Sequence, residues 1–548
     1  MSEKNQAAAL EHTDALIIGT GFSGLRALIE LKKMGLTVTT LEAGTDVGGT
    51  WYWNRYPGAR TDSQSWTYCF PFTELADKWE WTERYPGQPE VHRYLSFVTD
   101  YFDLRPLIRF GQTVTAASYD ELANLWTVTT ADGGQFTCTY LLPAVGPLSI
   151  PLDPKFKGME KFKGESYSTG RWPKEPVDFT GKRVAVIGTG ASGIQTIPLV
   201  AEVAEHLTVF QRTPNYVMPA QNFDLDEEFQ QVLKTELPQE WKKAQNHFFG
   251  FPLIPSGRTF EDVTDEERER IFEEGWKKGG FHFVFETFDD IVYDQRSNDA
   301  AADFIRRKIK ETVKDPEVAE LLTPRDHPYV SKRPPSGTNY YETFNRENVT
   351  LVDIKSDPIE SMTESGLRTR DGKEYEFDAV VFATGFDAVT GALDRIAITG
   401  KGGVKLTDQW VNGVETNLSI GVPNFPNMFM LFGPQVSYAN APVVTESLAG
   451  WLRDAIEHMR ANGYDRVECT EGSASNWSAA VDEVFNQTLL REGESVGSWY
   501  LGANVPGKPR RVLFYFGGAD NFDTLLKQNV QQNFEGFEFT RQSITATS

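Results

Sequence analysis

Residues Val184 to Gly193 read V-A-V-I-G-T-G-A-S-G, and this stretch decides the fold of the chain. The apolar run Val184 to Ile187 is typical of a buried strand, and it turns through three glycines into a helical pattern. Such glycines let the backbone approach a ligand, and the next helix offers N–H donors and a positive dipole to a phosphate. One G-x-G-x-x-G stretch is weak evidence, because glycines at this kind of turn can serve packing alone.

A second copy of the pattern lies near the N-terminus, where Ala15 to Ile18 are apolar and lead into G-T-G-F-S-G at Gly19 to Gly24. Two copies in one chain predict two dinucleotide sites. The candidate phosphate-binding positions are Gly19, Gly21 and Gly24 in the first copy, and Thr189, Gly190, Ser192, Gly193 and Gln195 in the second.

In each copy, the residue at the end of the strand that follows the glycine motif and its helix distinguishes the two sites. Glu42 follows the first glycine motif by about 20 residues, where a carboxylate accepts a hydrogen bond from a ribose 2′-OH. A 2′-phosphate would be repelled there, so the first site suits FAD or NAD. Arg212 holds the equivalent place in the second copy, and arginine pairs well with a 2′-phosphate, which favours NADP over NAD. A solvated glutamate and a surface arginine are the alternatives.

Composition limits the class of protein. The chain has 548 residues, enough for two or three domains, and its 40% hydrophobic content is typical of a globular protein. A net charge of −23 argues against nucleic acid or an anionic membrane as partner. The N-terminal residues lack an apolar signal segment, and no apolar run is long enough to span a bilayer.

The chain has three widely separated cysteines, Cys69, Cys138 and Cys469, without the spacing of a redox pair or a metal site. We therefore expect a cytoplasmic protein with reduced thiols, no bound metal and no membrane association.

The loop from Gly48 to Asp62 reads G-G-T-W-Y-W-N-R-Y-P-G-A-R-T-D and is rich in aromatic residues. Aromatic rings there could stack on a flat heterocycle, with the paired glycines giving the backbone access. An aromatic mini-core with an ion pair between Arg60 and Asp62 explains the same composition, so both interpretations stay open at this point.

These motifs, with F-x-G-x-x-x-S-x-x-x-W-P at Phe162 to Pro173, resemble the type I Baeyer–Villiger monooxygenases from about Asp14 to Gly518. The family consists of FAD- and NADPH-dependent flavoproteins that convert a ketone and molecular oxygen into an ester or lactone through a C4a-peroxyflavin. One departure is Ser168, where the family has a histidine in the linker between the nucleotide domains. Its loss brings the coupling of the domains into question more than the chemistry.

The resemblance implies an α/β fold with two Rossmann-like dinucleotide-binding domains, for FAD and NADP, and an inserted helical subdomain. We expect the FAD domain at 1–152 and 385–548, the NADP domain at 153–215 and 329–384, and the helical insertion at 216–328. Two phenylalanine-rich runs in the insertion, 248–251 and 281–285, either line an apolar substrate route or pack in the core, and packing is favoured. The tail after Gly536 shows little pattern and is predicted to be loose.

The resemblance also implies roles for single residues. Arg333 matches an arginine beside the flavin that stabilises the peroxide, and Asp62 would hold it in place. Besides the glycine-loop residues and Glu42, the expected cofactor contacts are Thr50, Trp51, Trp53, Arg60, Asp62, Tyr68, Val114, Arg212, Thr213, Lys332, Arg333, Gln435 and Trp499. The residues expected beside the ketone are Leu148, Tyr438, Asn440 and Val443, and the polarity of Tyr438 and Asn440 hints at a large or oxygenated substrate.

Other functions remain open from the sequence. A related flavin N- or S-oxygenase would share both folds, and a matched Arg333 and Asp62 argue against it. A catalytically idle NADP-sensing flavoprotein is a further possibility if Ser168 uncouples the domains. A disulfide reductase would need a cysteine pair, which the chain lacks. We expect a monomer or weak oligomer.

Overall fold

The structure is a computed structural model, and it describes residues 11–541. Residues 1–10, where the sequence predicts no signal segment, lie outside the described part, as do residues 542–548. The described strands are β1 Glu11–Ile18, β2 Val38–Glu42, β3 Ile108–Phe110, β4 Val114–Asp120, β5 Leu125–Thr130, β6 Gln135–Pro143, β7 Glu165–Ser168, β8 Arg183–Ile187, β9 His206–Gln211, β10 Met218–Pro219, β11 Ser336–Gly337, β12 Val349–Asp353, β13 Ile359–Met362, β14 Gly366–Thr369, β15 Glu374–Glu376, β16 Ala379–Phe382, β17 Ala397–Thr399, β18 Arg466–Cys469 and β19 Phe537–Thr540.

The described helices are α1 Phe22–Lys33, α2 Thr50–Trp53, α3 Thr73–Ala76, α4 Gln88–Tyr101, α5 Ala191–Val203, α6 Glu227–Gln245, α7 Asp265–Lys278, α8 His282–Phe285, α9 Gln295–Thr312, α10 Pro316–Leu322, α11 Tyr340–Thr343, α12 Leu406–Gln409, α13 Ala441–Asn462, α14 Glu471–Asn486 and α15 Ala519–Gln531. Within residues 11–541, no helix combines the length and the apolar character that a membrane crossing requires.

The first sheet has seven strands in the order β17-β4-β5-β6-β1-β2-β3. Its inner strand β1 pairs in parallel with β2 and β6. Residues Ala15 to Ile18 of β1 are buried, as is typical of a strand in the parallel part of a sheet that is covered on both faces. Strand β17 joins this sheet from far along the chain, with Ala397 opposite Ala116. We call this part the FAD unit.

The second sheet has five parallel strands in the order β12-β9-β8-β16-β7. Strand β8 carries the second glycine motif at its end, and β16 brings the chain back beside it after the insertion. We call this part the NADP unit.

The chain crosses between the two units twice, and the crossing segments pair with each other. The amide of Leu152 donates to the carbonyl of Gly385 over 2.9 Å, and the amide of Asp387 donates to that of Ile150 over 2.8 Å. Each unit is thus built from segments on both sides of the insertion, and the domain bounds given from the sequence stay a prediction.

Helices α6 to α10 form the insertion, and the short strands β10 and β11 pair where the chain enters and leaves it, with Met218 opposite Ser336. The C-terminal part adds α13 to α15 to the FAD unit, where α13 packs on both α1 and α15. The prediction of a loose tail after Gly536 is wrong for Phe537–Thr540, which forms β19 and pairs antiparallel with β18. A four-residue strand is too short to give a clear pattern in the sequence.

Candidate active site

One large cavity, with a volume of about 1230 Å³, lies between the two units and reaches both glycine motifs. Most residues expected at the site line it. These are Gly19, Gly21, Glu42, Thr50, Trp51, Trp53, Arg60, Asp62, Tyr68, Val114, Leu148, Thr189, Gly190, Ser192, Gln195, Arg212, Thr213, Lys332, Arg333, Tyr438, Asn440 and Trp499.

Four expected site residues are not among those that line the cavity. A Cβ on Gly24 would lie 2.0 Å from the carbonyl oxygen of Gly19, so this glycine lets the helix pack on the turn before it. Gly193 has the same role in the second motif, with a Cβ position 2.1 Å from the oxygen of Gly188. Both third glycines therefore serve close packing rather than ligand contact.

The other two lie in the C-terminal part of the FAD unit. The side chain of Gln435 is buried and hydrogen-bonds to Thr416 and Ser478. Val443 is buried in the first turn of α13. Their side chains therefore stabilise the wall of the cavity from behind.

Both glycine loops fit the phosphates of a dinucleotide. Helix α1 begins after Gly21 and α5 begins after Gly190, and no side chain caps either helix. A Cβ on Gly190 would meet no atom within 4 Å, so the loop is open towards the cavity. The first N–H groups of both helices are thus left for a ligand.

Glu42 ends β2 and lines the cavity near the first glycine loop. Its Oε2 accepts hydrogen bonds from the amide and the hydroxyl of Thr20 at 2.9 and 2.6 Å, and its Oε1 accepts from the amide of Gly44 at 2.7 Å. A carboxylate has further acceptor positions, so Glu42 is held rigidly and still suits a ribose hydroxyl.

Arg212 and Lys332 form a pair of cations at the second nucleotide site. Among residues 11–541, neither has a carboxylate within ion-pair distance. Burial, and then the charge of Arg212, lower the pKa of Lys332 to about 8. The charge of Asp326 opposes this shift only in part, and neither cation forms an ion pair with it, so the arrangement fits a phosphate that would neutralise both.

Arg333 and Asp62 meet where the two units face each other. Nη2 of Arg333 lies 2.6 Å from Oδ1 of Asp62, and 34% of the arginine side chain is exposed, compared with 13% of the aspartate. Burial alone would lower the pKa of Arg333, but the charge of Asp62 raises it above its usual value. The guanidinium is therefore a fixed positive charge at the cavity wall.

The aromatic loop combines both interpretations that the sequence left open. Trp51, Trp53 and Tyr56 line the cavity, whereas Tyr52 packs against Trp53 and hydrogen-bonds to Thr45. The ion pair between Arg60 and Asp62, which one interpretation included, is not formed. Arg60 pairs with Glu83 at 2.9 Å, and Asp62 pairs with Arg333, the partner that the resemblance implies.

The phenylalanine-rich runs of the insertion also serve both purposes. Phe249, Phe251 and Phe281 line the cavity, and Phe283 is fully buried in the core. The turn that carries Phe249 is held by Nδ1 of His247, which accepts hydrogen bonds from the amides of Phe249 and Phe251 at 3.1 and 3.4 Å.

Asn440 fastens this turn to the rest of the cavity wall. Its side-chain nitrogen donates to the carbonyl of Thr67 at 2.8 Å and to that of Gly250 at 3.1 Å. Its amide group therefore ties three segments together, which accounts for a polar residue here without a polar substrate.

Sequence reasoning missed further residues of the cavity. Gln112, Thr115 and Arg395 lie near the end of the FAD unit, and Phe156, Ile354 and Pro358 lie near the end of the NADP unit. Position gives a signal for only two of them, since Gln112 comes shortly after β3 and Ile354 directly follows β12.

Ser168 does not line the cavity. It ends the edge strand β7, opposite Phe382 of β16, and the next residues after Phe382, Ala383 and Thr384, do line it. Strand β16 therefore lies next to Ser168, and the segment that follows β16 lines the cavity and leads back to the FAD unit.

The two sheets, two open glycine loops and one shared cavity define a flavoprotein that uses a nicotinamide nucleotide. Residues 16–247 match the family model described as pyridine nucleotide-disulphide oxidoreductase. Cys69, Cys138 and Cys469 are all free and buried, so the described chain contains no disulfide.

Comparisons with whole proteins give the narrower assignment. The chain is 44% identical over 524 residues to a Baeyer-Villiger monooxygenase of Pseudooceanicola batsensis, covering 95% of each chain. It is 40% identical to the phenazine N-monooxygenase PhzNO1 of Lysobacter antibioticus, covering 96% of this chain and 97% of that one. The crystal structure of OTEMO in complex with FAD and NADP superposes with a TM-score of 0.92 at 41% identity, covering 96% and 99% of the two chains.

The chain belongs to the Baeyer–Villiger monooxygenases, NADPH-dependent flavoproteins that use FAD. The resemblance, the fold class, the enzyme class and both cofactors expected from the sequence are thereby confirmed.

Proposed function

We propose that Arg333, held by Asp62, is the group through which this chain directs one oxygen atom of O2 to a ketone carbonyl, giving an ester or lactone. The observation that carries the proposal is the 2.6 Å ion pair between the two side chains at the wall of the shared cavity. It supports the proposal because a fixed positive charge lies at the wall of the cavity that reaches both glycine motifs.

When bound, FAD supplies the redox chemistry by accepting hydride from NADPH and activating dioxygen. Arg333 stabilises the negative charge that develops on oxygen during the transfer, and it stays protonated throughout because guanidinium does not titrate near neutral pH. Asp62 aims the guanidinium, since a charge-assisted hydrogen bond fixes its orientation. No side-chain nucleophile is required.

Separate groups of residues hold the two nucleotides. The open ends of α1 and α5 bind the two pyrophosphates, and Glu42 binds the ribose of FAD. Arg212 and Lys332, with Thr213 beside them, bind the 2′-phosphate that distinguishes NADPH from NADH.

The ketone lies against the aromatic side of the cavity. Phe249, Phe251, Phe281 and Trp499 line this part, and Leu148 also lines the cavity. Aromatic walls exclude water, which strengthens the interaction of Arg333 with the developing charge. We also propose a cytoplasmic enzyme that acts as a monomer or weak oligomer.

Oxygenation of a nitrogen or sulfur atom is a second candidate. The support for it is the 40% identity to a phenazine N-monooxygenase, a value close to the 44% for the Baeyer-Villiger relative. Such substrates are nucleophiles and do not need a negatively charged oxygen. The Arg333–Asp62 pair therefore favours the ketone reaction.

The test uses the purified yellow protein with NADPH and ¹⁸O2 against linear, cyclic and aryl ketones, together with phenazine and an aryl methyl thioether. We expect ester or lactone carrying one ¹⁸O atom from at least one ketone class. Labelled N-oxide or sulfoxide without ester would favour the second candidate. NADPH oxidation that no ketone accelerates, with no labelled product, would support the idle flavoprotein.

A further inference from the structure

Tyr438 brings a phenol group into an aromatic part of the cavity wall. Its ring centroid lies 5.3 Å from that of Phe249, 5.1 Å from that of Phe514 and 5.8 Å from that of Trp499. All four side chains line the cavity. The hydroxyl of Tyr438 is thus a polar group among aromatic carbon.

Tyr500 lies behind Tyr438, outside the cavity. Its hydroxyl donates to the hydroxyl of Tyr438 over 3.2 Å, and the two ring centroids are 4.9 Å apart. Tyr500 is 1% exposed, and Tyr438 is the only side-chain hydrogen-bond partner of its hydroxyl among residues 11–541.

The positions of the two protons follow from this burial. Each phenol has one proton. If Tyr438 donated to Tyr500, the proton of Tyr500 would be buried without an acceptor, which is costly. The favoured arrangement therefore has Tyr500 donating to Tyr438, and the proton of Tyr438 is left without an acceptor in the described protein.

We propose that the hydroxyl of Tyr438, oriented by Tyr500, is a hydrogen-bond donor that selects ketones carrying a second acceptor oxygen, such as an ether, ester or further carbonyl oxygen. The inference rests on the proposed ketone reaction and adds a substrate class to it. Tyr438 is the contact residue, and Tyr500 is a positioning residue.

The charge state of Tyr438 fits a donor. Burial raises the pKa of Tyr438 to about 12, although the positive charge of Arg333 opposes this shift. The phenol therefore keeps its proton at neutral pH. The second polar side chain of the same loop, Asn440, does not compete for this role, because its nitrogen already donates to Thr67 and Gly250.

A buried donor discriminates between substrates because an apolar group placed against it leaves the proton unpaired. A ketone with an ether oxygen at that place satisfies the donor, whereas the same ketone with a methylene group does not. The preference should appear in kcat/KM, since it reflects relative stabilisation of the two substrates in the transition state.

The experiment compares 4-methoxycyclohexanone with 4-ethylcyclohexanone, which have similar shape and differ by an oxygen in place of a methylene group. The same pair of substituents on the aryl ring of 4-phenylcyclohexanone tests a longer substrate. For the wild-type protein we expect a ratio of kcat/KM of about ten in favour of the methoxy ketone on at least one scaffold. Tyr438→Phe should bring that ratio close to one.

Tyr500→Phe should lower the ratio in the same direction by a smaller factor, because it removes the group that orients Tyr438. The control is Tyr515→Phe, which deletes a phenol hydroxyl bonded to Asn521 outside the cavity and should leave the ratio unchanged. FAD content and reduction by NADPH are measured for every variant.

A ratio that is the same in wild type and Tyr438→Phe on both scaffolds would overturn the inference. So would a change in the KM for NADPH or in the flavin spectrum without a change in the ratio, since Tyr438 would then contact the cofactor. If the wild-type protein makes no ester from the methoxy ketones, from the ethyl ketones or from any other ketone of the wider panel, the proposed function fails instead.

Discussion

Nη2 of Arg333 donates a hydrogen bond to Oδ1 of Asp62 over 2.6 Å, and 271 residues of sequence separate the two. The arginine belongs to the second half of the NADP unit and the aspartate to the aromatic loop of the FAD unit. The ion pair therefore exists only when both units are assembled, which couples the position of the charge to the arrangement of the two nucleotide sites.

Replacing Arg212 by alanine tests the choice of nicotinamide nucleotide. Loss of a charge-assisted pair costs about 1.5–3 kcal/mol, so the KM for NADPH should rise by roughly tenfold or more. The KM for NADH should change little, because NADH lacks the 2′-phosphate. Arg325→Ala is the control, since Arg325 pairs with Glu320 on the surface. Equal losses with both nucleotides would show that Arg212 does not bind the phosphate.

Lys332 predicts a pH dependence of NADPH binding. With its pKa lowered to about 8, the lysine is charged below pH 8 and becomes neutral above it. A bound phosphate raises that pKa, so affinity should be highest below pH 8 and should fall by about tenfold between pH 7 and 9. Titrations of the Kd for NADPH over this range measure the effect.

Two comparisons isolate the contribution of Lys332 to this pH dependence. Lys332→Arg stays charged and should give a flat profile, and NADH should show little dependence in the wild-type protein. A wild-type Kd for NADPH that is constant from pH 7 to 9 would contradict the assignment.

The third glycine of the NADP motif is predicted to be intolerant of a methyl group. Gly193→Ala would place a Cβ 2.1 Å from the oxygen of Gly188. Overpacking of this kind costs about 1–3 kcal/mol, so thermal unfolding should occur at a lower temperature and NADPH affinity should fall. Gly450→Ala, in α13 with no atom within 4 Å of the added Cβ, should stabilise the protein by up to about 1 kcal/mol. If Gly193→Ala unfolded at or above the wild-type temperature, the packing role would be wrong.

Ser168→His tests the departure from the family pattern. The residue is in the edge strand beside β16 and outside the cavity, so FAD content should not change. A histidine adds a second hydrogen-bonding group next to the segment that connects the units. We expect a change in the fraction of NADPH oxidation that yields ester. Ser166→His, on the exposed part of the same strand, is the control. Loss of FAD would mean that the position is part of the packed fold instead.

The sequence predicts the two nucleotide units well because each repeats a local pattern. An apolar strand, a glycine turn and a helix start are neighbours in sequence, so both motifs and the residues Glu42 and Arg212 can be located without the fold. The cavity confirms that these positions face one common space.

The partners of several polar side chains could not be predicted from the sequence, because they depend on contacts between distant segments. Composition alone left an ion pair between Arg60 and Asp62 as one of two open interpretations of the aromatic loop, and only the family resemblance pointed from Asp62 to Arg333. The fold pairs Arg60 with Glu83 and Asp62 with Arg333. Likewise, Asn440 looked like a polar contact for substrate, and its role as a tie between Thr67 and Gly250 depends on two segments far away in sequence. The residue types alone do not determine such partners.

Asp62 and Arg333 together predict a graded defect in oxygen transfer. Removing an electrostatic contact of this kind from a dry site costs about 2.7–4 kcal/mol of transition-state stabilisation. Arg333→Ala should therefore lower the rate of ester formation by about a hundredfold or more, which is the factor that this free energy corresponds to. Asp62→Ala keeps the guanidinium and removes only its anchor, so its defect should be smaller. Both variants should still bind FAD.

The central claim is tested most directly by measuring NADPH consumed, ester formed and hydrogen peroxide released in the same reaction of Arg333→Ala with oxygen and a ketone that the wild-type enzyme converts. We predict continued, slower NADPH oxidation, with nearly all of it recovered as hydrogen peroxide and almost no ester. Ester formation at close to the wild-type rate and yield would contradict the claim and would place the charge that directs oxygen transfer on another residue.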